Sequence, residues 1–241
     1  MVRRNVEAIV KRFKEIPYEF LTRLAYEATP WPERGYYDRR VMDQGIKPLD
    51  PDMWVVGQAY TVNESKMCAN VIEEAPEGSV LVVNASNSSG TYVGCLMTKM
   101  MQQNKVAGIV IDGYVTHSAR VRKMGMPIFC RGATIHYSGY SFEGEVQVPI
   151  QCGGVLVNPG DIVLGNADGV IVFTLEEAEK IVVGIGKIME ISRVFIEDYM
   201  DKGVRYFDIP DVRDFWTQKT AGDGDEWVLY DKWLKEHGRG T

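Results

Sequence analysis

Two short apolar runs constrain this chain more than anything else in it. "SVLVVN" covers residues 79–84, and Val106 to Ile111 forms the second run, in "KVAGIVIDG". Each is too short for a helix and carries no polar alternation, which reads as a strand buried on both faces. Between them lies a small, polar stretch, "NASNSSGTYVG", and then a helical pattern from about Tyr92 to Asn104. Tyr92, Val93, Leu96, Met97, Met100 and Met101 make its apolar stripe, and methionines at that spacing read as core packing rather than a soft metal site. A short helix around Ala119 to Met124 ends at Gly125, and "MPIFCRG" is a further strand. Strands that alternate with helices in this way indicate an α/β unit with a largely parallel sheet.

The flanking segments are assigned by the same periodicities. Val6, Ile9, Val10, Phe13 and Ile16 recur at helical spacing, so residues 5–16 form a helix with one apolar face. Pro17 interrupts it, Tyr18 to Ala28 forms a second helix, and "TPWPERGYYDRR" is a loop. "WVVGQAYTV" (54–62) is a strand, and Glu64 to Glu74 is a helix that ends at "APEG". After residue 145, "VQVPIQC", "GGVLV", "DIVLG" and "GVIVF" read as four short strands in an antiparallel or mixed layer. "TLEE" (174–177) is a capping box, with Thr174 as N-cap and Glu177 at the third helical position, and it starts a long helix to about Met200. The expected organisation is one domain over residues 1–203, with a helical N-terminal segment up to residue 45 and a core over 46–203. A tail, 204–241, carries Phe215, Trp216, Trp227, Tyr230 and Trp233, which need cover from the core or from a neighbouring subunit.

Composition excludes some functions. The net charge is −6 and the pI about 5.2, which argues against a general nucleic-acid binder. The dense basic cluster Arg120, Arg122 and Lys123 is short and reads as a solvated helix face. No run of about 18 apolar residues suggests a membrane span, and the charged N-terminus does not resemble a secretory signal. Cys68, Cys95, Cys130 and Cys152 are widely spaced with no CxxC pair, which fits free thiols and a cytoplasmic location.

Two places could carry chemistry. The loop 85–94 runs into a helix, whose unpaired N–H groups and positive dipole end would suit a carboxylate or phosphate. It lacks GxGxxG and GxxxxGK[ST], so a nucleotide site is not indicated. The second place lies beyond the carboxyl end of the 106–111 strand, where ligands of α/β sheets tend to sit. Asp112, Thr116 and His117 fall there.

The blocks "GIKPLDPDMWVVGQAYTV", "APEGSVLVVNAS", "VGCLMTKMMQQNKVAGIVIDGYV", "GMPIFCRG" and "GGVLVNPGDIVLGNADGVIVF" resemble the successive blocks of the RraA-like family, over roughly residues 40–175. That family holds the regulator of ribonuclease activity A and the class II 4-hydroxy-4-methyl-2-oxoglutarate and 4-carboxy-4-hydroxy-2-oxoadipate aldolases, which also decarboxylate oxaloacetate. The resemblance implies a layered β/β/α sandwich, with N-terminal helices and a C-terminal helix and aromatic tail appended here. It also implies a homo-trimer or a hexamer, with the site at the subunit interface. The substrate it implies is a small carboxylate, held by backbone amides near Gly94, Cys95, Leu96 and Met97, beside an Mg²⁺ or Mn²⁺ ion.

The aldolases of the family carry an Asp, then twenty residues, then an Arg-Asp pair. Here those positions hold Cys95, Thr116 and His117, so the spacing is kept and all three identities differ. Thr116 cannot replace a bidentate guanidinium. His117, with Asp112 beside it as a second candidate ligand, would favour Zn²⁺ or another transition metal over Mg²⁺. Lys99, one helical turn past Cys95, Arg120 and Arg131 are the candidate sources of the missing positive charge. The expected activity is a divergent lyase acting on a small 2-oxo or hydroxy-oxo dicarboxylate, with Cys95, Lys99, Thr116 and His117 as catalytic candidates and Arg131 as a substrate contact. The alternative is a non-catalytic regulatory or binding protein related to the ribonuclease E regulator.

Overall fold

The computed structural model describes residues 2–16, 40–63, 69–86, 89–137, 144–209 and 235–236. The expected helix 18–28, the loop after it as far as Arg39, Cys68 and the five tail aromatics lie outside the described residues. By internal packing the chain divides into two units. One holds Met1–Ala28 and Tyr36–Glu179, and the other holds Thr29–Gly35 and Lys180–Thr241.

The first unit is built on an eight-stranded sheet. Its strands are β1 (Lys47–Pro48), β2 (Val55–Asn63), β3 (Val80–Asn84), β4 (Thr91–Val93), β5 (Gly108–Val115), β6 (Ile128–Ala133), β9 (Ile162–Asn166) and β10 (Gly169–Phe173). The order is β1-β6-β5-β3-β2-β9-β10, with β4 lying beside β5 beyond the end of β3. The pairs β2–β3, β3–β5, β4–β5 and β5–β6 are parallel; β1–β6, β2–β9 and β9–β10 are antiparallel. The two apolar runs of the sequence are therefore neighbours, with Leu81 opposite Ile109 and Val82 opposite Val110.

Both faces of this sheet are covered. On one face Leu81, Val83, Ile109, Ile111 and Ile128 pack with Val71 and Ile72 of α2 (Ala69–Glu74), Met101 of α3 (Cys95–Gln103) and Val121 of α4 (Ser118–Lys123). On the other, Val82, Val110, Phe129, Val163 and Val172 pack with Ile150, Cys152, Val155 and Val157. Those last four belong to an antiparallel pair, β7 (Ile150–Cys152) and β8 (Val155–Val157). The result is a β/β/α layering. Alternate residues of each apolar run face opposite layers, which explains why the runs show no polar alternation.

Three sequence expectations change in detail. The four late strands do not make one layer: β7 and β8 do, but β9 and β10 extend the main sheet through β2. The helix expected from Tyr92 begins at Cys95, because Tyr92 and Val93 pair along β5 as β4. That turns the helix, so Thr98 and Met101 face inward and Leu96 is 71% exposed. The long final helix, α5 (Leu175–Arg193), passes into π-helical geometry over Val194–Tyr199 and a 3₁₀ turn at Met200–Lys202.

The first helix, α1 (Val2–Lys14), buries Val6, Ile9 and Phe13 as its periodicity requires, and the Phe13 ring stacks on Phe173 at 6.2 Å. The capping box forms as read. Thr174 N–H donates to Glu177 Oε2 at 2.8 Å, and Glu177 N–H donates to Thr174 Oγ1 at 3.3 Å. Glu177 also accepts from Arg40 at 2.6 Å. Thr174→Ala therefore lowers stability by about 1 kcal/mol, read as a shift of the urea midpoint; an unchanged midpoint would mean the cap contributes nothing.

In the second unit, Arg193 binds Glu190 at 2.6 Å and Glu197 at 2.9 Å along its own helix, and Phe195 meets Tyr206 edge-on at 5.5 Å. No helix among the described residues is long and apolar enough to cross a membrane.

Candidate functional site

The parallel strands direct one end of the sheet toward a cluster of polar residues. β3 ends at Asn84, β5 at Val115 and β6 at Ala133, and the chain after each stays at that end. Thr116 N–H donates to Val93 O at 2.8 Å, which ties the end of β5 to the residue before Gly94. Gly94 itself fits between the loops. A Cβ there would come within 3.0 Å of Thr116 Cγ2 and 3.1 Å of His117 Nδ1. Spacing in the sequence places Gly94, Cys95, Thr116 and His117 in one zone, and the fold brings Gly94 against Thr116 and His117.

Gly94 is the N-cap of α3 with extended backbone and no side-chain cap. Its carbonyl accepts from Thr98 N–H at 3.0 Å and Thr98 Oγ1 at 2.9 Å. The N–H groups of Cys95, Leu96 and Met97 precede that first helical bond, and among the described residues none has an acceptor. His117 has φ 54°, the left-handed region, and caps α4 without a side-chain bond. A non-glycine residue there carries about 1 kcal/mol of strain or more, and histidine is among the types that tolerate it better. The ring is exposed, as are Lys99 and Arg120, and no described partner holds any of the three.

Asp112 and Arg131 sit differently. The Asp112 side chain is only 6% exposed. Its Oδ1 accepts from Arg131 Nε and its Oδ2 accepts from Gly153 N–H at 2.8 Å. Arg131 also donates from Nη1 to Asp43 Oδ1 at 3.0 Å. The Gly45 N–H, with Arg131 second, holds the Asp43 carboxyl below its usual range. Asp112 and Arg131 thus bond β5 to β6 and both to the turn of the β7–β8 hairpin. Their polar atoms are engaged internally, which competes with the metal and substrate roles expected of them.

Among the described residues, no group of three or more His, Cys, Asp or Glu side chains is gathered as a metal ion requires. Asp112, the carboxylate expected to join His117 as a ligand, is spent on Arg131 and Gly153. The described residues of one chain therefore do not form the closed set of protein ligands that a structural Zn²⁺ ion takes.

The cysteines separate by environment. Burial pushes the Cys130 thiol up to about 11, and burial, then the charge of Asp112, pushes Cys152 higher still. Cys152 donates to Val83 O at 3.6 Å. Of the three described thiols, Cys95 is the least buried. Alkylation of the native protein at pH 8, read by peptide mass spectrometry, labels Cys95 well ahead of Cys130 and Cys152; equal labelling would contradict this packing.

Two further polar residues share this end. Ser89 Oγ and His136 Nδ1 lie 3.1 Å apart, and Thr91 N–H donates to His136 O at 2.8 Å. The rule that points beyond β5 applies equally to the polar residues of "TIHYS" beyond β6. Position after a parallel strand is therefore the sequence signal for His136.

The layered α/β fold, with its open site beyond the carboxyl ends of parallel strands, defines the class of protein. Residues 33–172 match the RraA-like family, described as Aldolase/RraA. The chain belongs to that family. It is 36% identical over 141 residues to a Halalkalibacterium halodurans protein named "Putative 4-hydroxy-4-methyl-2-oxoglutarate aldolase", covering 56% of this chain and 67% of that one. Among solved structures it is similar to Streptomyces coelicolor RraAS2, described as an unusual member of the RNase ES inhibitor RraA protein family. That match has a TM-score of 0.63 and 30% identity, and covers 78% of this chain and 97% of that one. An uncharacterized protein from Pseudomonas syringae pv. tomato shares the fold with a TM-score of 0.71 at 24% identity, covering 86% and 93%.

Proposed function

We propose that the protein is a divergent lyase that cleaves a small 2-oxo or hydroxy-oxo dicarboxylate at the carboxyl end of its parallel strands. The observation that carries this reading is the contact of Gly94 with Thr116 and His117. It supports a reading in which the helix N-terminus works beside Thr116, whose methyl lies nearest, and the exposed His117 imidazole. The 2-oxo carboxylate sits on the free N–H groups of Cys95, Leu96 and Met97, where the helix dipole favours negative charge. Lys99 and Arg120 attract the distal carboxylate, a role that Arg131 does not share because Asp112 and Asp43 hold it. Cleavage of the carbon–carbon bond leaves its electron pair on the carbon next to the keto group. The Thr116 hydroxyl donates to the enolate oxygen. In an aldol cleavage His117 takes the proton of the substrate hydroxyl as that carbon becomes the carbonyl of the departing oxo acid, and returns it to the enolate carbon. In a decarboxylation the lost carboxylate leaves as CO₂, and the proton reaches the carbon from solvent by way of His117.

The exposed Leu96, Ile135 (100% exposed) and Tyr137 (60%) lie at this same end. They support the expectation that a second copy of the chain covers the site in a homo-oligomer. A second reading, a non-catalytic regulator, is supported by the likeness to the Streptomyces coelicolor protein and by the three substituted family positions.

Pyruvate release from hydroxy-oxo dicarboxylates and oxaloacetate, assayed with and without Mg²⁺, Mn²⁺ or Zn²⁺, separates the two. Release above the uncatalysed rate is expected, and its complete absence under all conditions sinks the lyase reading. Thr116→Arg combined with His117→Asp restores the family pair, and aspartate tolerates the left-handed backbone at 117. This variant is expected to gain oxaloacetate decarboxylation in Mg²⁺. A correctly folded variant with no gain would show that the rest of the scaffold is not competent.

A further inference from the structure

We propose that a second, separate site, under α1, binds a small monocarboxylate with an apolar body. A cavity of about 580 Å³ opens there, within the range of roughly 300–1,000 Å³ usual for small-molecule sites. It lies against Gly78 and Ser79, which precede β3, so it is at the opposite end of the parallel strands from Gly94 and His117.

Its wall combines three chemistries. Val6 and Val10 of α1 give it an apolar side; Val10 belongs to the apolar stripe of the sequence yet is only half-buried, because it faces this space and not the core. Lys11 and Lys14 stand on the same helix at the wall, and neither ammonium has a partner among the described residues. Tyr60 of β2 also lines the cavity. It is 6% exposed, and its hydroxyl has no hydrogen-bond partner among the described residues.

A buried hydroxyl without a partner costs free energy that a ligand acceptor would recover. The two carboxylates that line the cavity do not cancel the cationic side. Glu77 is bound to Lys105 at 3.0 Å. Glu7 is one turn from Lys11 and can offset one lysine, leaving the other in surplus. Burial, and then the charge of Glu74, disfavours the Tyr60 phenolate and so keeps the hydroxyl a donor. Apolar wall, surplus ammonium and buried donor together suit an anionic head on an apolar body.

The test uses the full chain with 4-phenylbutyrate as probe and 4-phenylbutan-1-ol as its neutral counterpart, followed by calorimetry and ligand-observed NMR. The acid is expected to bind and the alcohol to bind about tenfold more weakly or worse, since a hydrogen bond to a charged group contributes at least that much. Lys11→Gln with Lys14→Gln, on an exposed helix face, is expected to weaken the acid about tenfold with an unchanged melting temperature. Tyr60→Phe keeps the ring and is expected to weaken it several-fold. His117→Asn is expected to leave probe binding unchanged, because that residue is at the other end of the strands. No binding of the acid at millimolar concentration, equal binding of acid and alcohol, or affinity indifferent to the lysine pair overturns the proposal. So does binding lost in His117→Asn but kept in the lysine variant, which would place the probe at the site described above.

Discussion

Truncating Arg131 to alanine is expected to destabilise the fold by about 2–3 kcal/mol, read as a lower urea midpoint with an unchanged slope. The cause is the carboxylate left behind. Asp112 is buried with both oxygens engaged, and Arg131 supplies the positive charge that makes its burial tolerable. Removing one partner of a buried pair leaves an uncompensated charge, which costs about 3–5 kcal/mol when water is fully excluded. The Arg131 side chain is 32% exposed, so water reaches some of the gap and the expected loss is smaller. The Gly153 N–H bond to Asp112 also survives the change. The double variant Arg131→Leu with Asp112→Leu removes both charges and is expected to be more stable than Arg131→Ala alone. If Arg131→Ala costs less than about 0.5 kcal/mol, in the range of exposed pairs, the Asp43–Arg131–Asp112 chain is not what joins these strands.

On the proposed lyase reading, replacing His117 by asparagine is expected to lower turnover about a hundredfold or more, the usual contribution of a positioned acid–base group. Asparagine is the informative choice because it accepts the left-handed backbone that His117 adopts. Alanine in that left-handed conformation would add strain of about 1 kcal/mol to the loss of the ring. The ring is exposed and makes no cap, so the melting temperature should hold within about 2 °C. A His117→Asn enzyme with full turnover would remove His117 from the chemistry and leave Ser89 and His136 as the polar pair at that end.

These two expectations separate residues that the sequence groups together. Asp112 and His117 qualify from sequence because they follow a strand, and Arg131 as a source of the charge that the family pattern lacks here, with a structural role as its other reading. Only pairing across strands tells them apart. Asp112 and Arg131 are 19 residues apart and sit on neighbouring parallel strands, with Ile111 opposite Cys130. Local spacing carries no sign of whether a carboxylate faces an arginine or open solvent.

The opposite holds for Gly94, Thr116 and His117. Their grouping is legible because the family spacing survives even though the identities at positions 95, 116 and 117 do not, and spacing is what fixes where a strand end meets a helix start. Periodicity sets the helix start itself a few residues too early, since Tyr92 and Val93 are apolar enough for either element. Pairing with β5 resolves the ambiguity in favour of a strand, as tertiary contacts do when propensity is indifferent.

By itself the sequence determined the alternation of strands and helices, the parallel core, the capping box at Thr174 and the end of the sheet where the candidate site lies. Each of these depends on periodicity or on residues a few positions apart, so local order suffices to specify it. Tertiary structure alone decided that β9 and β10 join the main sheet, that Asp112 spends its charge on Arg131, and that α1 stands off β2 enough to leave a cavity over Tyr60. Those outcomes depend on which distant segments meet and on the side-chain volume available between them. Such quantities arise only when the whole core packs at once.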